Sequence, residues 1–287
     1  MTRIFVAGAT GAIGRLLVPR LVDAGHQVSA ATRGAGRANA LREQGATPVV
    51  LDVFDAAAVR DALKKAAPEV VIHQLTALSD VDLAANARIR VEGTRNLVDA
   101  ARDAGAGRMI AQSISWAYAP GDGPADETTP LDTDAPPPRA TTVAGISALE
   151  NAVAELDEWA VLRFGTFYGP GTWYAPGGLL ATRLADGAVP ANDGVASFLH
   201  IADAADATIA ALDWPSGPVN IVDDEPAPAR EWVPVLAAAL GQPAPEPSAG
   251  GAAWERGASN AKARSLGWRP THPSWRTGFT ADRPPAS

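Results

Sequence analysis

Short apolar runs alternate with amphipathic or alanine-rich stretches through the first half of the chain. Strands are expected at Ile4–Ala7, Val28–Ala31, Pro48–Leu51, Val70–His73, Arg108–Gln112 and Trp159–Phe164. Helices are expected over Ile13–Ala24, Ala56–Ala66, Asn86–Ala104 and Val143–Leu156. Strands and helices alternating at this spacing predict an α/β fold with a doubly wound parallel sheet. Its right-handed crossovers place ligands beyond the carboxyl ends of the strands. Pro120–Arg139 reads as a loop, because the run Pro136-Pro137-Pro138 fits neither a helix nor a central strand. Beyond Phe164 the pattern loosens. It predicts a helix at Leu179–Ala185, a short strand and a helix within Phe198–Leu212, and a strand at Val219–Val222. Gln242–Gly251 reads as a linker or mobile loop, and the tail after Phe279 is expected to fray. The expected organisation is a nucleotide-binding domain over 1–165 with a returning segment 193–223. A smaller substrate-binding region takes 166–192 and 224–282.

The first loop carries the clearest chemistry. Gly8, Gly11 and Gly14 stand between a strand and a helix. In that position the first glycine permits a tight turn, the second lets backbone approach a pyrophosphate, and the third lets helix and sheet pack closely. The helix N-terminus then faces the phosphate charge. Thr10, Ala12 and Ile13 complete this Rossmann-type cradle. The second strand ends in Thr32-Arg33, with Arg37 close behind, where an NAD site usually has a carboxylate. Guanidinium groups there suit a 2′-phosphate, so NADP(H) is the expected cofactor; ordinary surface charge is the alternative. Asp52 and Val53, after the third strand, are placed to touch adenine. Asp52 capping the next helix is an equally simple reading.

Composition narrows the field. None of the 287 residues is cysteine, which excludes disulfides and thiolate chemistry. No apolar run is long enough to span a bilayer. The chain enters its first strand without a charged and apolar leader, so a cytoplasmic location is expected. A net charge of −8 argues against nucleic acid as partner, though solubility alone accounts for an acidic balance. His26, His73, His200 and His272 are widely spaced and form no local metal motif.

Gly8–Gly14, Val70–Ala77, Val91–Val98, Leu162–Gly171, Phe198–Asp203, Val219–Pro226 and Leu266–Pro270 together resemble the extended short-chain dehydrogenase/reductase superfamily, over nearly the whole chain. The resemblance implies that Leu75, Thr76 and Ala77 lie along the cofactor. It also implies that Phe164, Gly165 and Thr166 face the nicotinamide.

The family's Ser/Thr–Tyr–Lys triad is missing. Its serine position falls on Ile114, between Ser113 and Ser115, and its Tyr and Lys positions fall on Thr142 and Ile146. The residues four after Tyr118, Tyr168 and Tyr174 are Asp122, Thr172 and Gly178, so no tyrosine–lysine pair exists. Ser113, Ser115 and Thr142 remain as weak hydrogen-bond donors, none of them a general acid. Hydride transfer would then need a proton from water or from the substrate, such as a phenol beside the ketone. The missing triad resembles that of atypical reductases acting on aromatic polyketides of the angucyclinone type. Trp116, Tyr118, Tyr168, Trp173 and Tyr174 are the expected walls for a flat ligand, or else fillers between domains. An NADPH-dependent ketoreductase in antibiotic biosynthesis is the leading expectation. A non-enzymatic NADP sensor and a sugar-nucleotide epimerase or dehydratase are the alternatives. The alanine-rich helices leave the oligomeric state open.

Overall fold

The computed structural model describes residues 1–78 and 82–281. The expected domain limit at residue 282 and the tail beyond Ala281 lie outside the described residues. In chain order the elements are β1 (Arg3–Ala7), α1 (Gly14–Asp23), β2 (Gln27–Thr32), α2 (Ala38–Glu43), β3 (Thr47–Val50), α3 (Ala56–Ala66), β4 (Val70–His73) and α4 (Leu83–Arg88). A π-helical turn (Ile89–Gly93) follows, then α5 (Thr94–Asp103), β5 (Arg108–Ile114), α6 (Arg139–Val153), β6 (Glu158–Phe164), β7 (Thr166–Tyr168) and α7 (Leu179–Ala185). The chain ends with β8 (Val195–Ala196), β9 (Phe198–His200), α8 (Ile201–Ala210), β10 (Gly217–Ile221), β11 (Ala227–Pro228), α9 (Ala229–Leu240), α10 (Ala261–Ser265) and α11 (Trp275–Ala281).

Among the described residues a seven-stranded parallel sheet runs β10-β6-β5-β4-β1-β2-β3, the doubly wound α/β order expected. β1 pairs with β2 on one side and β4 on the other, with Ala7 opposite both Ala31 and His73. Strand order therefore reverses between β1 and β4, which makes that crevice the ligand-binding switch point of such folds.

The chain forms two compact units. The first is Met1–Ser113, Thr133–Leu162 and Ala205–Pro218; the second is Ile114–Asp132, Arg163–Ala204 and the chain from Val219 onward. Of the segment 193–223 expected to return to the first domain, only Ala205–Pro218 lies in the first unit.

In the first unit, Phe5, Val71, Met109 and Val161 on the strands pack with Val59, Leu63, Leu97 and Leu149 on the helices. Each such side chain contributes roughly 1.5–3 kcal/mol on burial. Asp55 caps α3 by accepting the Ala58 N–H at 3.0 Å, and Asp82 caps α4 through Ala85 at 2.9 Å. The single helix expected over Asn86–Ala104 is two α-helices joined by the π turn.

The second unit holds an aromatic core. Phe198 meets Trp232 at 5.3 Å and Phe279 at 5.4 Å in edge-to-face contacts, with Trp275 fully buried beside them. Helices α9 and α11, absent like α10 from the sequence expectation, supply Trp232, Trp275 and Phe279. The expected mobile stretch Gln242–Gly251 is coil, but pinned: Ser248 N–H donates to Ala191 O at 2.9 Å and Asp193 N–H to Gly250 O at 2.7 Å.

Candidate active site

The cradle in the first unit is built as the glycines require. Gly8 has φ +92°, and a Cβ there would lie 2.6 Å from Gln74 O. A Cβ on Gly14 would lie 2.6 Å from the carbonyl carbon of Ala9. Neither position has room for a side chain. Gly11 and Ala12 are exposed at the N-terminus of α1, and among the described residues no backbone carbonyl accepts from the Ala12 or Ile13 N–H. An open helix N-terminus with unpaired donors fits a pyrophosphate. Arg37 reaches over this loop and donates to Thr10 Oγ1 at 3.3 Å, while Arg33 is exposed at the end of β2.

Asp52 accepts the Phe54 N–H at 3.0 Å, closing a local turn. The cap of the following helix is Asp55, three residues later, because only Asp55 directly precedes its first turn. Val53 is buried, and its carbonyl accepts from Asn96 Nδ2 at 2.9 Å.

Beyond β4 the chain is held by a relay. His73 Nδ1 accepts the Leu75 N–H at 3.2 Å, which leaves Nε2 as the protonated nitrogen donating to Thr94 Oγ1 at 2.9 Å. Thr94 in turn donates to Ile89 O at 3.4 Å, inside the π turn. Burial, assisted by the nearby Arg90 cation, pushes the His73 pKa down to about 4, so the ring stays neutral. Asn86 Oδ1 accepts the Ala77 N–H at 3.0 Å. The segment carrying Leu75, Thr76 and Ala77 is thus fixed at both ends. Buried Gln74 Oε1 has no partner among the described residues.

Of the expected donors, Ser113 gives its hydroxyl proton to Glu150 Oε1 at 2.7 Å. Thr142 is half-buried on α6, and Ile146, one turn on, is fully buried. In the second unit Ser115 is buried, its N–H donating to Phe164 O at 2.9 Å. Phe164 turns its ring into the core, 5.4 Å from Phe167. Gly165 and Thr166 donate their N–H groups to Ile221 O and Ser197 O, and a Cβ on Gly165 would come within 2.8 Å of Ser197 O.

Two expected ligand walls are core residues instead. Tyr118 is 1% exposed; its hydroxyl donates to Asn220 Oδ1 at 2.6 Å and accepts from Arg163 Nη1 at 2.9 Å. Burial raises its pKa to about 12 despite the arginine. Tyr168 is equally buried, edge-on to His200 and Phe279 and against Gly278. Tyr174 is half-buried among Phe198, Trp232 and Phe279, which raises its pKa through desolvation, and Trp173 is half-buried against the same core. Trp116, by contrast, stays 39% exposed, and Trp254 faces it at 6.3 Å. Nothing in the sequence singled out Trp254, which sits far along the chain in a glycine-rich coil. The fold also brings His200, Asp203 and His272 within 4.8 Å of one another. Asp203 accepts the Thr271 and His272 N–H groups and His272 Nδ1, which ties down the C-terminal segment.

Residues 4–222 match the NAD dependent epimerase/dehydratase family. A "3-diazoavenalumate denitrifying reductase" from Streptomyces sp is 46% identical, over 96% of this chain and 99% of that protein. Among solved structures, the Bordetella bronchiseptica enzyme WbmG in complex with NAD and UDP is similar in fold. It has a TM-score of 0.78 at 23% identity, covering 98% of this chain and 93% of that one. The UDP-glucose 4-epimerase of Thermus thermophilus, in complex with NAD, gives a TM-score of 0.73 at 25% identity, covering 97% and 96%. No described helix is long and apolar enough to cross a membrane. With the glycine cradle formed and most of its length matched, the chain belongs to the NAD dependent epimerase/dehydratase family.

Proposed function

We propose that this protein is an NADPH-dependent reductase that adds hydride to a flat aromatic acid without a proton from the polypeptide, its substrate being an aryl diazonium carboxylate. One observation carries the reading: the dinucleotide cradle is intact, yet no tyrosine–lysine pair exists and Tyr118 is locked in the core. A bound dinucleotide supplies hydride. At an aryl diazonium carbon, a C–H bond forms and the C–N bond breaks, its electron pair leaving with dinitrogen. No proton is consumed, so a triad has nothing to do. The 46% identical denitrifying reductase supports this chemistry.

The chain's own part is binding and orientation. Ala12 and Ile13 N–H groups would hold the pyrophosphate, and Arg37 and Arg33 the 2′-phosphate. In the second unit Trp116 and Trp254 offer indole faces to a flat ring, and Ser115 is a candidate hydrogen-bond donor there; Thr142, on α6, is the candidate donor of the first unit. The same indole pair, Trp116 exposed and Trp254 half-buried, also suits a second substrate, the ketone of an aromatic polyketide carrying its own phenolic proton.

The test mixes the protein with NADPH deuterated at the transferred position and either an aryl diazonium carboxylate or a hydroxylated polycyclic ketone. The expected result is one dinitrogen per NADPH consumed, with deuterium at the former C–N carbon. Ketone turnover without dinitrogen release supports the second substrate. NADPH binding with turnover of neither refutes both and leaves a nucleotide-binding protein. Preference for NADH, unchanged in Arg37→Ala, refutes the 2′-phosphate assignment.

A further inference from the structure

Arg90 lies in the π turn of the first unit with 7% of its surface exposed. Its aliphatic stem runs along α6 at Gly145, where a Cβ would sit 3.5 Å from Arg90 Cδ. Its charge is felt by His73 at the carboxyl end of β4. Asn86, one helical turn earlier, binds Ala77 just beyond the same strand end. Among the described residues no carboxylate pairs with this guanidinium: the neighbouring Arg88 takes Glu92, and His73, the group beside Arg90, is itself neutral. Burial lowers the Arg90 pKa to about 10, still leaving it charged. A buried cation with no carboxylate partner among the described residues is costly and calls for an anion.

The pyrophosphate has its own cradle at α1, on the β1 side of the switch point. Arg90 stands on the β4 side, next to α6. We propose that Arg90 is the binding residue for the substrate's carboxylate, so that the enzyme selects aromatic acids over neutral aromatics. This rests on reading the chain as a dinucleotide-dependent reductase of an aromatic acid. A guanidinium–carboxylate pair is charge-assisted and bidentate, with specificity that a lysine reproduces only in part.

The probes are cinnamate and its neutral counterpart cinnamide, titrated by calorimetry into protein saturated with NADP+; NADPH affinity is read separately by fluorescence. Wild type is expected to prefer cinnamate by about 10- to 100-fold, the scale of one charge-assisted pair. Arg90→Gln should abolish that preference, leave NADPH affinity within about 2-fold, and leave thermal stability equal or higher, since an uncompensated charge is removed. Arg90→Lys should retain part of the preference and serves if the glutamine variant does not fold. Equal binding of the two probes by wild type overturns the proposal. So does a preference that survives in Arg90→Gln, or a loss confined to NADPH affinity. Because neither probe reacts, selection of cinnamate stands even if no dinitrogen is released, and dinitrogen release stands even if the probes bind equally.

Discussion

Replacing Tyr118 by Phe separates a structural phenol from a catalytic one. The hydroxyl makes two bonds inside the second unit, to Asn220 Oδ1 at 2.6 Å and from Arg163 Nη1 at 2.9 Å. Phenylalanine keeps the ring and its place beneath the Arg163 guanidinium, whose carbon lies 4.9 Å from the ring centre. It leaves a fully buried amide oxygen and one N–H of a buried cation without this partner. Losing a bond to a charged group costs about 1.5–3 kcal/mol, and an orphaned neutral acceptor about 1–3, the two overlapping because they share one oxygen. A total of about 3 kcal/mol is expected. With an unfolding entropy of about 2.1 cal/mol/K per residue, 287 residues give about 0.6 kcal/mol/K, hence a Tm lower by about 5 °C. Turnover per folded molecule should stay within about 2-fold, because a sealed phenol with a pKa near 12 gives no proton to a ligand. Differential scanning fluorimetry and NADPH oxidation at a temperature well below the transition read the two effects apart. A kcat lower by about 10²–10⁴, the usual effect of losing a general acid, at unchanged Tm would refute the assignment.

Gly8→Ala forces a Cβ to 2.6 Å from Gln74 O at φ +92°, and should weaken NADPH binding by on the order of 100-fold in a fluorescence titration. His73 is neutral in the fold down to about pH 4 but titrates near 6.5 when unfolded. The unfolded chain therefore binds more protons between those values, and stability rises with pH across that window. His73→Asn should flatten the dependence of Tm on pH between 4 and 6.5; an unaltered slope counts against burial of the neutral ring. Ala67 ends α3 with φ +42°, left-handed for a residue with a Cβ. Ala67→Gly should raise stability by about 1 kcal/mol, seen as a Tm about 2 °C higher; a lower Tm would contradict this.

The amino-acid sequence by itself determined the strand–helix alternation of the first unit and the phosphate cradle. Both are local. Gly8 is needed for its own φ and for the closeness of its own neighbours, and an apolar run such as Val70–His73 is buried on both faces wherever the sheet closes. Loss of the triad was equally legible, since it depends only on which residue follows each tyrosine. Tertiary structure alone decided the fates of the aromatics. Tyr118 and Trp116 are two residues apart in one loop, yet Asn220 and Arg163, 102 and 45 residues away, draw the phenol inward while the indole stays out. Arg90 was hidden for a related reason. An arginine in a helical stretch reads as one more surface charge, and only the packing of α6, whose Gly145 lies beside the Arg90 stem, shows it buried. A local pattern fixes backbone and burial where neighbours along the chain suffice. A side chain whose partners come from remote segments finds its role only when those segments meet.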